Sequence, residues 1–147
     1  MPDPTQSLRV AALRLLTRRD HSRAELRQKL ASTVEDPSTL DAVLEQLESE
    51  HLLSDQRFAS QRINSRGQRY GNARLAQELR QRGVSDDTIV DTLAAGDDEL
   101  QRCRTVWQRK FGQQADSPAE HARQVRFLRY RGFSGDSIRR VMHNHEE

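Results

Sequence analysis

The residues best equipped for chemistry in this chain are its arginines. There are 22 of them against 2 lysines, Lys29 and Lys110. An arginine presents a planar donor fork that matches carboxylate and phosphate and stacks on aromatic rings. A GC-rich coding bias also favours arginine over lysine, but it does not explain clustering. Six arginines and one acid, Glu78, lie between Arg62 and Arg82. The segment Arg123–Arg131 holds four arginines and no acid. Arg62, Arg66 and Arg69 stand at helical spacing and would share one face. Tyr70 and Arg74 follow, then Arg80 and Arg82. Arg126, Arg129, Tyr130 and Arg131 repeat the mixture of cation and aromatic. The pattern suits either a solvated helix face or an electropositive surface for nucleic acid or an acidic protein. Arginines beside tyrosines can hold single strands by charge and stacking. With no sequence-reading motif such as a zinc finger, such binding is expected to be unspecific.

Other chemistries are poorly served. There is no glycine-rich phosphate loop and no nucleophile elbow. The histidines, at 21, 51, 121, 143 and 145, are scattered and expected on the surface. His143 and His145 are two apart, which puts them on different helix faces and argues against a metal pair. Cys103, the lone cysteine, sits on an apolar stripe and reads as a small buried hydrophobe. No catalytic, cofactor or metal residue is expected. The N-terminus lacks a signal-peptide pattern and no apolar run approaches a membrane span, so a cytoplasmic protein is expected.

The elements that must position the arginines are helices. Hydrophobic content is 34% and aromatic content 5%, which is thin for one deep core and suits small helical units that lean on neighbours. Leu8, Ala11, Ala12, Leu15 and Leu16 mark a first amphipathic helix. Ser22 and Glu25 form a capping box before Leu26 and Leu30. Asp36-Pro37 starts a third helix with Leu40, Val43, Leu44 and Leu47 inward. Its other side belongs to residues 35–50, which carry six acids and no base, so the surface is expected to be polarised although net charge is only +2. That acidic face is a candidate for recruiting a protein.

Ser54 caps the next helix, which holds Phe58, Ala59 and Ile63 and runs towards Gln68. Asn72 restarts it with Leu75, Ala76 and Leu79 inward. Gly83 ends that helix and Ser85 begins another, with Ile89, Val90 and Leu93 inward. Asp97, Asp98 and Glu99 are first-turn acids for a helix bearing Leu100, Cys103, Val106, Trp107 and Phe111. Ser117-Pro118 opens an eighth helix, with Ala122, Val125, Phe127 and Leu128 inward. Ser134 opens a ninth, with Ile138, Val141 and Met142 inward. No strand signal is present.

Nine helices in this order carry a repeat of 49 residues. Arg80-Gln81-Arg82-Gly83-Val84-Ser85 stands one period before Arg129-Tyr130-Arg131-Gly132-Phe133-Ser134. Asp87 matches Asp136, Ile89 matches Ile138, and Leu26 and Leu30 precede Leu75 and Leu79 by the same interval. The expected fold is all-α: three tandem three-helix repeats forming an elongated, curved molecule, divided at 1–52, 53–96 and 97–147.

These residues resemble the signatures of the bacterial RecX regulatory proteins. Leu15-Leu16 followed by His21-Ser22-Arg23-Ala24-Glu25-Leu26 and Leu30 is similar to the opening signature. Leu53-Ser54-Asp55, Arg57-Phe58-Ala59, Tyr70-Gly71, Arg74-Leu75, Glu78-Leu79 and Arg82-Gly83 are similar to the central one. Asn72 departs from it, since the family often has proline there. The resemblance covers nearly the whole chain. It implies three three-helix repeats and a non-enzymatic regulator of the RecA recombinase. Such a protein binds the groove of the RecA–single-stranded-DNA filament and blocks its extension or promotes its disassembly. ATP hydrolysis, strand exchange and coprotease activity then fall. Contact with single-stranded DNA is expected to be weak or indirect, and the protein is expected to be a monomer. The candidate partner-binding residues are Arg57, Arg66, Arg69, Tyr70, Arg74, Arg82, Arg126, Arg129 and Arg131. Of these, Arg57, Tyr70, Arg74 and Arg82 match motif positions, and the others rest on charge alone.

Overall fold

Helix boundaries follow the capping residues. In the computed structural model, which describes residues 3–143, Asp3 accepts from the Thr5 N–H at 3.0 Å and opens α1 (Pro4–Arg18). Ser22 and Glu25 make the reciprocal capping box of α2 (Arg23–Leu30), each bond 3.1 Å. Asp36 caps α3 (Pro37–Ser49). Ser54 accepts from Arg57 N at the start of α4 (Asp55–Arg66). Ser85 accepts from Thr88 N at the start of α6 (Asp86–Ala95). Asp98, Ser117 and Ser134 do the same for α7 (Glu99–Lys110), α8 (Pro118–Tyr130) and α9 (Gly135–His143). A short 3₁₀ turn, Ala31–Thr33, follows α2. No strand occurs among the described residues.

One helix start is different. No serine, threonine or aspartate precedes α5 (Asn72–Gln81). Its first N–H groups are satisfied by other parts of the chain. Gly71 N donates to Arg131 O at 2.8 Å, Ala73 N to Gly132 O at 3.2 Å, and Asn72 N to a Glu99 carboxylate oxygen at 2.7 Å. Left buried without partners, such donors would each cost about 1–3 kcal/mol.

The helices pack into two compact units. The first runs up to Ala59 and includes Leu79–Ile89; the second comprises Ser60–Glu78 and the chain from Val90 onward. In the first unit Leu8, Ala12, Leu26, Leu30, Leu40, Val43, Leu44 and Leu47, on the inward faces of α1, α2 and α3, form the core with Leu53 from the turn after α3. In the second, Cys103, Val106, Trp107, Leu128, Phe133, Ile138, Val141 and Met142 do so. There the Trp107 indole N–H donates to Gln124 Oε1 at 2.9 Å, a buried polar pair. Burying each leucine side chain contributes about 1.5–3 kcal/mol.

Each unit contains the same junction, 49 residues apart. In the first, the Arg82-Gly83 turn at the end of α5 meets the start of α2: the Ser22 hydroxyl donates to Arg82 O at 2.6 Å. In the second, the Arg131-Gly132 turn at the end of α8 meets the start of α5 through the bonds given above. Gly83 and Gly132 have φ of 83° and 93°, values that favour glycine. The contacts are also too close for a side chain. A Cβ on Gly83 would lie 2.3 Å from Ala24 Cβ, and one on Gly132 would lie 2.5 Å from Arg74 Cβ.

Three expectations need correction. Val90 is not inward but 64% exposed on α6; the stripe of that helix runs through Ile89 and the buried Thr92 instead. His21 is buried rather than on the surface. Its Nδ1 lies 3.0 Å from Arg19 O and its Nε2 3.2 Å from Lys29 Nζ. A neutral ring donating at Nδ1 and accepting at Nε2 satisfies both. Burial, helped by the charges of Arg19 and Lys29, pushes its pKa below the usual histidine value. The acidic face of residues 35–50 is partly neutralised: Glu50 pairs with Arg9, Glu48 with Arg23 and Asp41 with Arg27, while Glu35, Asp36 and Glu45 stay exposed. His145 lies outside the described residues.

Candidate partner-binding surface

Two of the candidate residues serve their own unit. The Arg57 Nε pairs with Asp20 at 2.9 Å, and its other nitrogens donate to the carbonyls of His51 and Leu52 at 3.1 Å each. Arg82 pairs with Glu25 at 2.8 Å. Glu25 also takes both terminal nitrogens of Arg19, at 3.3 and 3.2 Å. Burial alone would raise its pKa, but the bonds from Arg19, the Ser22 N–H and Arg82 outweigh it and hold the carboxyl at about 2. Both candidate arginines of the first unit are thus paired with acids of that unit.

The second unit gathers four others. The Tyr70 ring, half-buried at the turn between α4 and α5, carries the guanidinium of Arg74 at 4.1 Å, Arg66 at 4.7 Å and Arg131 at 5.3 Å from its centroid. Arg74 also lies 5.8 Å from the Tyr130 ring, which is 77% exposed. Arg131 lies 5.0 Å from the Phe127 ring as well. Each such contact is worth about 0.5–1 kcal/mol where exposed. Among the described residues Glu78 is the acid paired with this group: Arg66 grips it bidentately at 2.6 and 2.7 Å, with Arg62 and Arg74 at 3.8 Å. Burial opposes ionisation of Glu78, yet the arginines prevail and its pKa is lowered. Arg69, Arg126 and Arg129 are exposed beyond this cluster, with no side-chain partner among the described residues.

The repeat explains how the cluster arose. One period separates His21 from Tyr70, Glu25 from Arg74 and Arg82 from Arg131. Where the first junction sets a glutamate against an arginine, the second sets an arginine beside an arginine. Arg74 also occupies the third position of α5, next to the positive end of the helix dipole, where an acid is favoured and a cation costs about 0.3–1 kcal/mol. The tyrosine ring partly offsets the like charges. The arrangement presents a cationic surface backed by aromatic rings and short of counter-charge. Its chemistry suits phosphate or carboxylate groups.

The sequence reading missed two residues that hold this surface together. Glu99 and Arg102, on α7, bond to the backbone on either side of Tyr70. First-turn position accounts for Glu99 well enough that nothing in the sequence marks the longer reach.

The lone cysteine of the second unit is not an activated thiol. Burial, then the neighbouring Glu99 charge, pushes the Cys103 thiol up to about 12, which makes it a poor nucleophile. Among the described residues no His, Cys, Asp and Glu side chains cluster to hold a metal, and no helix is long and apolar enough to cross a membrane.

Fold and surface together define an all-helical tandem-repeat protein with a cationic, aromatic-backed face. The chain belongs to the RecX family: the models of the first, second and third three-helix domains of RecX match residues 9–47, 54–93 and 97–142. It is 45% identical to the regulatory protein RecX of Chromobacterium violaceum over 93% of this chain and 90% of that one. It is 43% identical to the regulatory protein RecX of Leptothrix cholodnii, over 97% of this chain and 94% of its relative. The crystal structure of RecX from Lactobacillus salivarius superposes with a TM-score of 0.87 over 99% of both chains at 18% identity, a likeness of fold.

Proposed function

We propose that this protein is a non-enzymatic negative regulator of the RecA recombinase. It binds the groove of the RecA–single-stranded-DNA filament in the cytoplasm and blocks extension or promotes disassembly. ATP hydrolysis, strand exchange and coprotease activity then fall, which damps recombinational repair and the SOS response. The observation that carries the reading, beside membership of a family whose members are named regulatory proteins, is the second junction. Arg66, Arg74 and Arg131 converge there on Tyr70 at a cost in local electrostatics. Positions that work against stability are expected where function demands them.

A filament offers the same contact on successive protomers, so several weak contacts from one chain add by avidity. Binding one filament conformation in preference to another then biases the filament. The experiment measures ATPase and strand exchange of the cognate recombinase with substoichiometric protein. Both are expected to fall; unchanged rates would remove the proposal.

A second reading is a sequence-nonspecific single-stranded-DNA-binding module that needs no recombinase. The exposed Tyr130 ring beside Arg74 favours it, because an aromatic face with a neighbouring cation can stack a base. It requires affinity for single-stranded DNA alone that drops steeply with salt. Tight binding to the recombinase without DNA would count against it.

A further inference from the structure

The second junction poses a mechanical problem. In the first, the Arg82–Glu25 pair ties the helix end of one repeat to the helix start of another. In the second, Arg131 and Arg74 occupy the matching positions and repel each other. The bonds from Gly71 N to Arg131 O and from Ala73 N to Gly132 O join the two turns, and something else must keep them in register against that repulsion.

Two residues one turn apart on α7 contribute: Glu99 reaches both sides of the junction, and Arg102 fixes the Tyr70 turn to α7. The Glu99 carboxylate bridges two helix starts. One oxygen accepts from Asn72 N at 2.7 Å, and the other from Ser137 Oγ at 2.8 Å and Ser134 N at 3.3 Å, at the beginnings of α5 and α9. Arg102 serves the opposite pole. It donates to the carbonyls of Gly67 at 3.2 Å and Tyr70 at 2.7 Å, just past the end of α4, and to the Asn72 side chain. Each charge meets the helix pole it complements: carboxylate at the N-termini, guanidinium at a C-terminus. Both side chains are half-buried, so these bonds are little screened.

We infer that Glu99 and Arg102 are positioning residues of the partner-binding surface. Glu99 ties the start of α5 to Ser134 and Ser137, just past the Arg131-Gly132 turn, and Arg102 pins the Tyr70 turn to α7, so that no acid is needed to tie Arg131 and its guanidinium stays available to the partner. The inference rests on the proposed use of this surface. It explains how one unit keeps a junction whose side chains repel, and why Arg131 needs no equivalent of Glu25.

The test uses Glu99→Gln and Arg102→Lys in the full chain. Glutamine keeps the shape but has one acceptor oxygen and turns an N–H₂ towards a donor. Lysine keeps the charge but cannot reach three acceptors with one fork. Two readouts are taken: amide exchange of Gly71 and Ala73, which donate to Arg131 O and Gly132 O, and inhibition of the recombinase. Both amides are expected to exchange about tenfold faster or more. Amides inside α7 and α8 stay protected as before, inhibition weakens about tenfold, and its dependence on salt flattens as fewer arginines engage together.

Gly71 and Ala73 protected as in the unaltered protein would overturn the inference. So would faster exchange at both with inhibition unchanged. Loss of protection throughout the second unit in both variants would also overturn it, because the residues would then be merely structural. Arg131→Glu separates this inference from the reading beneath it. If that change leaves inhibition intact, the proposed use of the surface has failed, while the exchange of Gly71 and Ala73 still decides whether the clamp exists.

Discussion

The two junctions of this protein are built from matching positions and carry opposite electrostatics. In the first, a buried His21 and a buried Glu25 meet the more exposed Arg82, and Arg19 and Arg82 share the one carboxylate. In the second, Tyr70, Arg74 and Arg131 replace them, and both guanidiniums stack on a ring, Arg74 with only a long 3.8 Å contact to Glu78. The backbone contact survives the change: a carbonyl of the Arg-Gly turn accepts from the start of a helix in both. One junction therefore serves the fold and the other is free to serve a partner. An arginine count cannot make that distinction, since Arg82 and Arg131 look alike in the sequence and differ only in what faces them.

The largest expected effect is functional. Arg74→Glu with Arg131→Glu turns two attractive contacts into repulsive ones. It is predicted to weaken inhibition of the recombinase by about 100-fold, near 3 kcal/mol, read from dose–response of strand exchange. The matching change in the first junction is structural. Glu25→Ala leaves the charges of Arg19 and Arg82 unpaired and removes half of a capping box. It is predicted to cost about 2–4 kcal/mol in urea unfolding while folded protein inhibits as before.

Acid sharpens the same contrast. Glu25 has its carboxyl at about 2 in the fold against an ordinary 4.5. A depressed pKa adds stability that is complete above the ordinary value and is lost as pH falls towards the folded one. Stability of the first unit is thus predicted to decline between about pH 4.5 and pH 2, and Glu25→Gln to flatten that slope. The smallest effect concerns the exposed ring. Tyr130→Ala is predicted to leave thermal stability within about 0.5 kcal/mol and to weaken filament binding about fivefold or more if the ring stacks on a base. Tyr130→Phe keeps the stack and is predicted to bind as the unaltered protein does.

Much of the fold was legible in the sequence because its signals are local. Ser22, Asp36, Ser54, Ser85, Ser117 and Ser134 each cap the helix they precede, and the stripe Leu40, Val43, Leu44 and Leu47 is buried. Asp98 capping α7 likewise agrees with the acidic opening read there. Non-local pairing was not legible. Charge alone grouped Arg57 and Arg82 with Arg74 and Arg131, yet Asp20 and Glu25, 37 and 57 residues distant in sequence, engage the first two. His21 belongs to the same class of miss, since its burial depends on what packs over a loop. Glu99 and Arg102 reach across about 30 residues to the Tyr70 turn, and no periodicity marks such a contact. The charge inversion at Glu25 and Arg74 could have been read from the 49-residue repeat, because it needs only alignment of one unit on the next.

Arg74→Glu alone separates the two junctions most sharply. The change restores to the second junction the glutamate that the first one uses. It places an acid in the first turn of α5 and gives Arg131 an ion-pair partner, together worth about 0.5–1 kcal/mol. Against these gains stand the lost Tyr70 stack and a repulsion between the new carboxylate and Glu78 in place of the Arg74–Glu78 pair. The account therefore predicts a variant that stays within about 1 kcal/mol of the unaltered protein in stability yet inhibits the recombinase at least about tenfold less well. Inhibition unchanged in a fully folded Arg74→Glu protein would contradict it, as would a fall in stability that accounts for the lost activity.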